Sequence, residues 1–207
     1  MAAERTAIRT LRPPRLSAFV LAVLAWLPIT FAVWYFAAPL ILWPCELVME
    51  AVARGAFSGL VRSVEQTAAT VTFATSLRPG TGVSGGFVSV DVNLLLYSFG
   101  MPLLAALTLA AREPSWKRHL LVGYLVMIPF IAFGGFADFL KNVAITAGPA
   151  VASQTGFSAA QREAIAFAFQ FGSLILPAIV PAIVWVLMHR RFLERLRQGP
   201  AVLTRQR

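Results

Sequence analysis

Apolar runs of about 20 residues recur along this chain, and at 1.5 Å per helical residue such a run matches the roughly 30 Å hydrocarbon core of a bilayer. They occupy residues Leu16 to Trp43, Leu94 to Ala111, Leu120 to Leu140 and Ile165 to Met188. Hydrocarbon offers no hydrogen-bond partners, so each run must satisfy its backbone internally, as a helix. The expected fold class is a membrane α-helical protein with four transmembrane helices. A 58% hydrophobic, 13% charged composition with a mean hydropathy of +0.73 excludes an ordinary soluble domain. The first run is too long for the apolar part of a cleaved signal peptide and lacks a small-x-small cleavage site at its end.

Charge then orders the segments. The formal charge of +9 is not spread as in a nucleic-acid binder, because 13 of the 18 Lys and Arg fall in three places. These are the arm 1–15, the short loop 112–119 and the tail 189–207. The connections 44–93 and 141–164 hold basic and acidic residues in near balance. This alternation is the positive-inside pattern, which predicts cytoplasmic N- and C-termini (N-in/C-in) and two extracytoplasmic connections. The predicted order is therefore arm 1–15, helix 16–43, outer module 44–93, helix 94–111, inner loop 112–119, helix 120–140, outer loop 141–164, helix 165–188 and basic tail 189–207. The basic ends favour anionic lipid.

The first run exceeds the bilayer core, so it requires tilt, a kink, or an early exit near Pro39. Every run contains proline, and Pro177 and Pro181 fall on one face of the last. Within the outer module, Glu46, Glu50, Arg54, Ser58 and Arg62 recur every four residues, with apolar residues mainly opposite, which predicts an amphipathic helix over Cys45 to Gln66. Thr70 to Leu77 and Phe87 to Val92 alternate apolar and polar residues around a glycine-rich stretch, the pattern of a β-hairpin with a long tip. Ser158 with Gln161 three residues on predicts a capping box.

Candidate chemistry is sparse. Cys45 is the only cysteine, so no intrachain disulfide forms, and on this topology it has no base nearby. His119 and His189 fall at the opposite membrane face, His189 reading as part of the basic tail. Asp138 and Lys141, three residues apart at the outer end of the third run, are placed to pair. No nucleotide motif, cofactor motif or metal-ligand spacing appears, and the expectation is a protein that is not an enzyme, with no catalytic, cofactor or metal residues.

The runs FAVWYFAAPLILWP, TVTFATSL and VDVNLLLYSFGMPLLAALTLAA, covering Trp34 to Ala111, resemble the exosortase H-associated membrane proteins. The resemblance implies a multi-pass protein of the bacterial inner membrane that acts as an accessory to an exosortase, an integral-membrane enzyme that processes sorting signals on exported proteins. Asn93, Tyr97, Gly100 and Pro102, at the module's exit, are the expected partner contacts. Besides the lipid bilayer, the partner implied is an exosortase-like membrane protein, and a homo-oligomer stays open. The alternative class is a subunit of a small-solute transporter or channel built on proline-kinked helices.

Overall fold

The structure is a computed structural model, described for residues 16–80 and 86–197. The arm 1–15, part of the hairpin tip and the end of the tail lie outside the described residues. Three helical segments are long and apolar enough to cross a membrane: Leu16–Phe36, Trp116–Thr146 and Ala159–Met188. The 94–111 run forms a shorter apolar helix, Leu95–Ala110. At about 24 Å it falls short of the bilayer core as a straight helix.

Helix α1 (Leu16–Phe36) ends at Ala37, and α2 (Ala38–Ala56) starts afresh with Pro39 in its first turn. The break between the two helices falls just before Pro39. Proline has no N–H to donate and disfavours helical geometry in the residue before it, while fitting the first turn of a new helix. Only Thr30 and Trp34 of α1 are buried, and the exposed Leu21, Leu24, Ile29 and Val33 give it an apolar outer surface. Inside, the Trp34 indole donates to the Ser98 hydroxyl (3.2 Å).

The predicted helix over Cys45 to Gln66 is corrected over nearly half its length, from residue 57 onward. After Ala56 the chain turns, and Val61–Thr67 forms β1, the first strand of an antiparallel sheet with β2 (Thr70–Thr75) and β3 (Ser89–Asn93) in the order β1-β2-β3. Two features misdirected the periodicity. Gly55, Ser58 and Gly59 interrupt helical propagation, and a bulge shifts the register between Val61 and Ser63. The bulge lets Val61 and Val64 face the core together, three residues apart, which in sequence looks like a helical stripe. A two-residue reversal joins β1 to β2, with Ala68 at φ 56°.

Val71, Phe73 and Thr75 of β2 and Val90 and Val92 of β3 point inward. They meet α5 (Trp116–Lys141), where Phe73 stacks on Phe139 with centroids 4.3 Å apart and Phe136 packs across both rings. The sheet therefore sits on the end of a helix bundle, flanked by α2. Gln66 fastens β1 to the start of α2 by donating to the Pro39 carbonyl (3.0 Å).

From β3 the chain passes into α3 (Leu95–Ser98) and α4 (Gly100–Ala110), the inner helix against which α1, α5 and α8 pack. Helix α5 continues into a π-helical turn, Asn142–Thr146, followed by α6 (Pro149–Ala152) and a 3₁₀ turn, Ser153–Thr155. There the Gln154 side chain both accepts from the Arg78 N–H and donates to its carbonyl (2.9 Å each), tying this loop to the sheet. Helix α7 (Ala159–Gln170) opens with the predicted capping box, the Ser158 N–H donating to the Gln161 side chain and the Ser158 hydroxyl accepting from the Gln161 N–H.

A second π-helical turn, Phe171–Ile175, leads into α8 (Leu176–Met188) and then α9 (Arg190–Arg197). Pro177 accounts for this turn, since its ring conflicts with the carbonyl four residues back and a widened turn relieves that conflict. Close helix crossings rest on glycines. A Cβ on Gly172 would lie 2.9 Å from the Gly134 Cα, and one on Gly100 would collide with the Pro177 carbonyl and lie 2.5 Å from the Pro181 ring.

Candidate functional site

The sheet end of the bundle gathers most of the sequence-predicted positions. Asn93, exposed at the end of β3, accepts from the Leu95 N–H through its side chain (3.0 Å), which closes the strand and starts α3. Tyr97 lies buried, its ring against Gly134, with Asp138 near enough to its hydroxyl to interact electrostatically. Gly100 is buried against Pro177 and Pro181, and Pro102 is buried in the first turn of α4. Three of the four positions therefore pack within the chain, and Asn93 alone of them meets the surface. Lys141 pairs with Asp138 (3.0 Å) and lies over the Phe169 ring, while Asn142 donates to the same carboxylate (3.0 Å).

The outer face of the sheet is polar, presenting Arg62, Ser63, Glu65, Ser89 and Asp91. Thr72 donates to Asp91 across the strands (2.7 Å), and Arg62 lies over the Phe87 ring. Among the described residues β3 is an edge strand. The Val88 N–H and C=O both bond toward β2. Antiparallel alternation then turns the backbone groups of Ser89, Asp91 and Asn93 away from it.

Cys45 is fully buried in α2, and desolvation pushes its thiol up to about 12. Burial thus favours the un-ionised form of this thiol, and the thiolate is the nucleophilic species.

The other end of the bundle holds a cluster that sequence spacing did not reveal. Glu113, His119 and His189 converge there, and His189, expected from the sequence as part of the basic tail, is buried in the bundle. Pro114 disfavours helical geometry at Glu113, and Arg112 takes φ 51°, so α4 ends and the chain reverses with the carboxylate turned inward. His119 lies in the first turn of α5, and His189 at the junction of α8 and α9. His119 Nδ1 is 3.2 Å from His189 Nε2, and Glu113 Oε2 lies 3.8 Å and 3.9 Å from these two nitrogens. The other carboxylate oxygen, Oε1, accepts from Arg195 (2.7 Å).

His189 is fully buried, stacked on Trp185, and burial holds its imidazole below the usual range. The signal that could have found this cluster is topological. The expected membrane order places both histidines and the 112–119 loop at one boundary, although 70 residues separate the two rings in sequence.

No curated protein and no solved structure matches the chain. A family model described as exosortase H-associated membrane protein matches residues 13–192. With that match covering most of its length, the chain belongs to the exosortase H-associated membrane protein family.

Proposed function

We propose that this membrane protein is a non-enzymatic accessory subunit of an exosortase-type sorting system in the bacterial inner membrane, with both termini cytoplasmic and the sheet presented outward. The observation that carries the reading, beside the family, is the sheet itself: fixed by aromatic packing to the bundle end, polar on its outer face and open along β3. The orientation is supported by Arg112, Lys117, Arg118, Arg190 and Arg191, all at the end opposite the sheet. Partner contact runs through the edge of β3 and through Asn93, with Tyr97, Gly100 and Pro102 acting indirectly by holding the sheet's exit in place. An edge strand offers main-chain donors and acceptors that a partner strand can complete.

The test is purification of the tagged protein from its native membrane after mild crosslinking, with mass spectrometry of what accompanies it. Recovery of an exosortase-like integral-membrane protein is expected. Asp91→Pro removes an N–H that faces away from β2, so it should abolish recovery while the protein still inserts, whereas Asp91→Ala keeps that N–H and should preserve recovery. Equal recovery with both variants would remove strand pairing as the mode of contact. Recovery of the protein alone, as a defined homo-oligomer, would contradict the accessory role and favour a transport or channel subunit.

A further inference from the structure

The distances in the Glu113, His119 and His189 cluster fit a set of metal ligands better than a set of hydrogen bonds. The two imidazole nitrogens lie within hydrogen-bonding distance of each other, but Glu113 Oε2 is 3.8 Å and 3.9 Å from them, beyond hydrogen-bonding reach. A carboxylate oxygen on a side chain only 11% exposed thus stands beside two nitrogens it does not bond. Donor atoms around a tetrahedral zinc ion stand about 3.3–3.4 Å apart, given Zn–N and Zn–O bonds near 2.0–2.1 Å. The observed separations bracket that spacing, and the centre of their triangle lies about 2.1 Å from each atom. A tetrahedral ion displaced from that plane toward a water ligand needs Glu113 Oε2 to move inward by a few tenths of an ångström.

The surrounding hydrogen bonds orient each donor inward. His189 Nδ1 lies 3.1 Å from the Trp185 carbonyl, which can only accept, so this nitrogen carries the proton and Nε2 keeps its lone pair. His119 Nε2 lies 3.3 Å from the Ser115 hydroxyl, which can accept or donate. Without a cation, His119 Nδ1–H donates to His189 Nε2 and Ser115 donates to His119. With a cation in place, His119 takes the other tautomer, Nε2–H donating to Ser115, and its Nδ1 lone pair becomes a ligand. Arg195 holds Glu113 Oε1, which leaves Oε2 for the centre.

The geometry points to a binding site for a divalent transition metal of the zinc type, with Glu113 Oε2, His119 Nδ1 and His189 Nε2 as ligands and water in the remaining position. Two nitrogen donors of three select against magnesium and calcium, which take oxygen ligands. A cleft of about 850 Å³, lined by Glu113, His119, Ser115, Arg190, Arg191 and Glu194, reaches two of the three donors, with His189 buried behind them, and gives the ion and its water a path. The arginines around the cleft oppose a bare dication, and the Glu113 carboxylate offsets part of that charge. Nothing in this assignment rests on the accessory role.

The test uses the full chain in nanodiscs, purified with a tag free of histidine and stripped with chelator. Zinc is titrated in competition with a chromophoric chelator, and cobalt(II) is followed by its visible ligand-field absorption. One equivalent should bind, with a cobalt spectrum indicating nitrogen and oxygen donors, and magnesium or calcium in excess should not displace it. Glu113→Gln and His119→Gln, which keep close to the native side-chain size, should each weaken binding by more than the roughly 10–100-fold typical of losing an outer partner. Ser115→Ala should weaken it about tenfold by freeing the His119 ring. Absence of saturable zinc binding would overturn the proposal, leaving the cluster as a proton-sharing histidine pair. So would unchanged affinity in Glu113→Gln and His119→Gln proteins that retain wild-type circular dichroism and a single size-exclusion peak.

Discussion

Replacing single glycines with alanine should give effects of opposite sign, set by what the added methyl meets. At Gly100 the new Cβ collides with the Pro177 carbonyl oxygen and comes within 2.5 Å of the Pro181 ring. A backbone carbonyl and a proline ring cannot rotate aside, so α4 and α8 must separate by about 1 Å to restore ordinary contact, weakening every contact along their crossing. Overpacking of this kind costs about 1–3 kcal/mol, and with both neighbours rigid we expect about 3 kcal/mol for Gly100→Ala.

At Gly123 the added atom meets the end of the Leu104 side chain, which can change rotamer, so the expected cost is under about 1 kcal/mol. At Gly55, in the last turn of α2, nothing lies within 4 Å, and alanine should stabilise by about 0.5–1 kcal/mol. Reversible unfolding in mixed detergent and SDS micelles measures all three. A neutral Gly100→Ala, or one no worse than Gly123→Ala, would refute the tight α4–α8 crossing and with it the placement of α4 inside the bundle.

Ala68 holds a left-handed φ of 56° at the β1–β2 reversal, so Ala68→Gly should stabilise the protein by about 0.5–1 kcal/mol in the same unfolding assay. Phe73→Ala removes the ring stacked on Phe139 and should cost about 3–5 kcal/mol, with loss of hydrogen-exchange protection in the three strands before the helices. With its thiol pushed up to about 12, about one Cys45 in ten thousand is ionised at pH 8, so maleimide should label it only after denaturation. Since burial favours the neutral form, the small thiolate fraction in the native protein rises about tenfold per pH unit below that value, and any native labelling should rise with it.

Helices were the most legible part of the sequence, because a membrane span announces itself by length and apolarity without reference to any other segment. Pro39 likewise marked the end of α1, since proline's missing N–H acts locally. Strand β1 was illegible for the converse reason. Its bulge places Val61 and Val64 on one face, and only the partner strand shows that this spacing belongs to a sheet.

The alignment of Pro177 and Pro181 on one face was visible, but what they pack against, Gly100, is supplied by a helix far away in sequence. Tyr97 drew notice for its place at the module's exit, yet its burial depends on Gly134 leaving room for the ring. The polar cluster escaped because motif reading looks for ligands at short spacing. Here Glu113 and His119 come from one turn and His189 from another helix end, and only the bundle joins them.

The central claim, that the open β3 side of the sheet meets an exosortase-like partner, is tested most directly by a photo-crosslinking amino acid placed singly at Glu65, Asp91 and Ile183 in the native membrane. Glu65 and Asp91 lie on the exposed strands, and Ile183 on the exposed apolar side of α8. Adducts to an exosortase-like integral-membrane protein are expected from Asp91 on β3, fewer from Glu65 on the far strand β1, and none from Ile183. Adducts from Ile183 alone, or no protein adduct from either strand position, would contradict the claim.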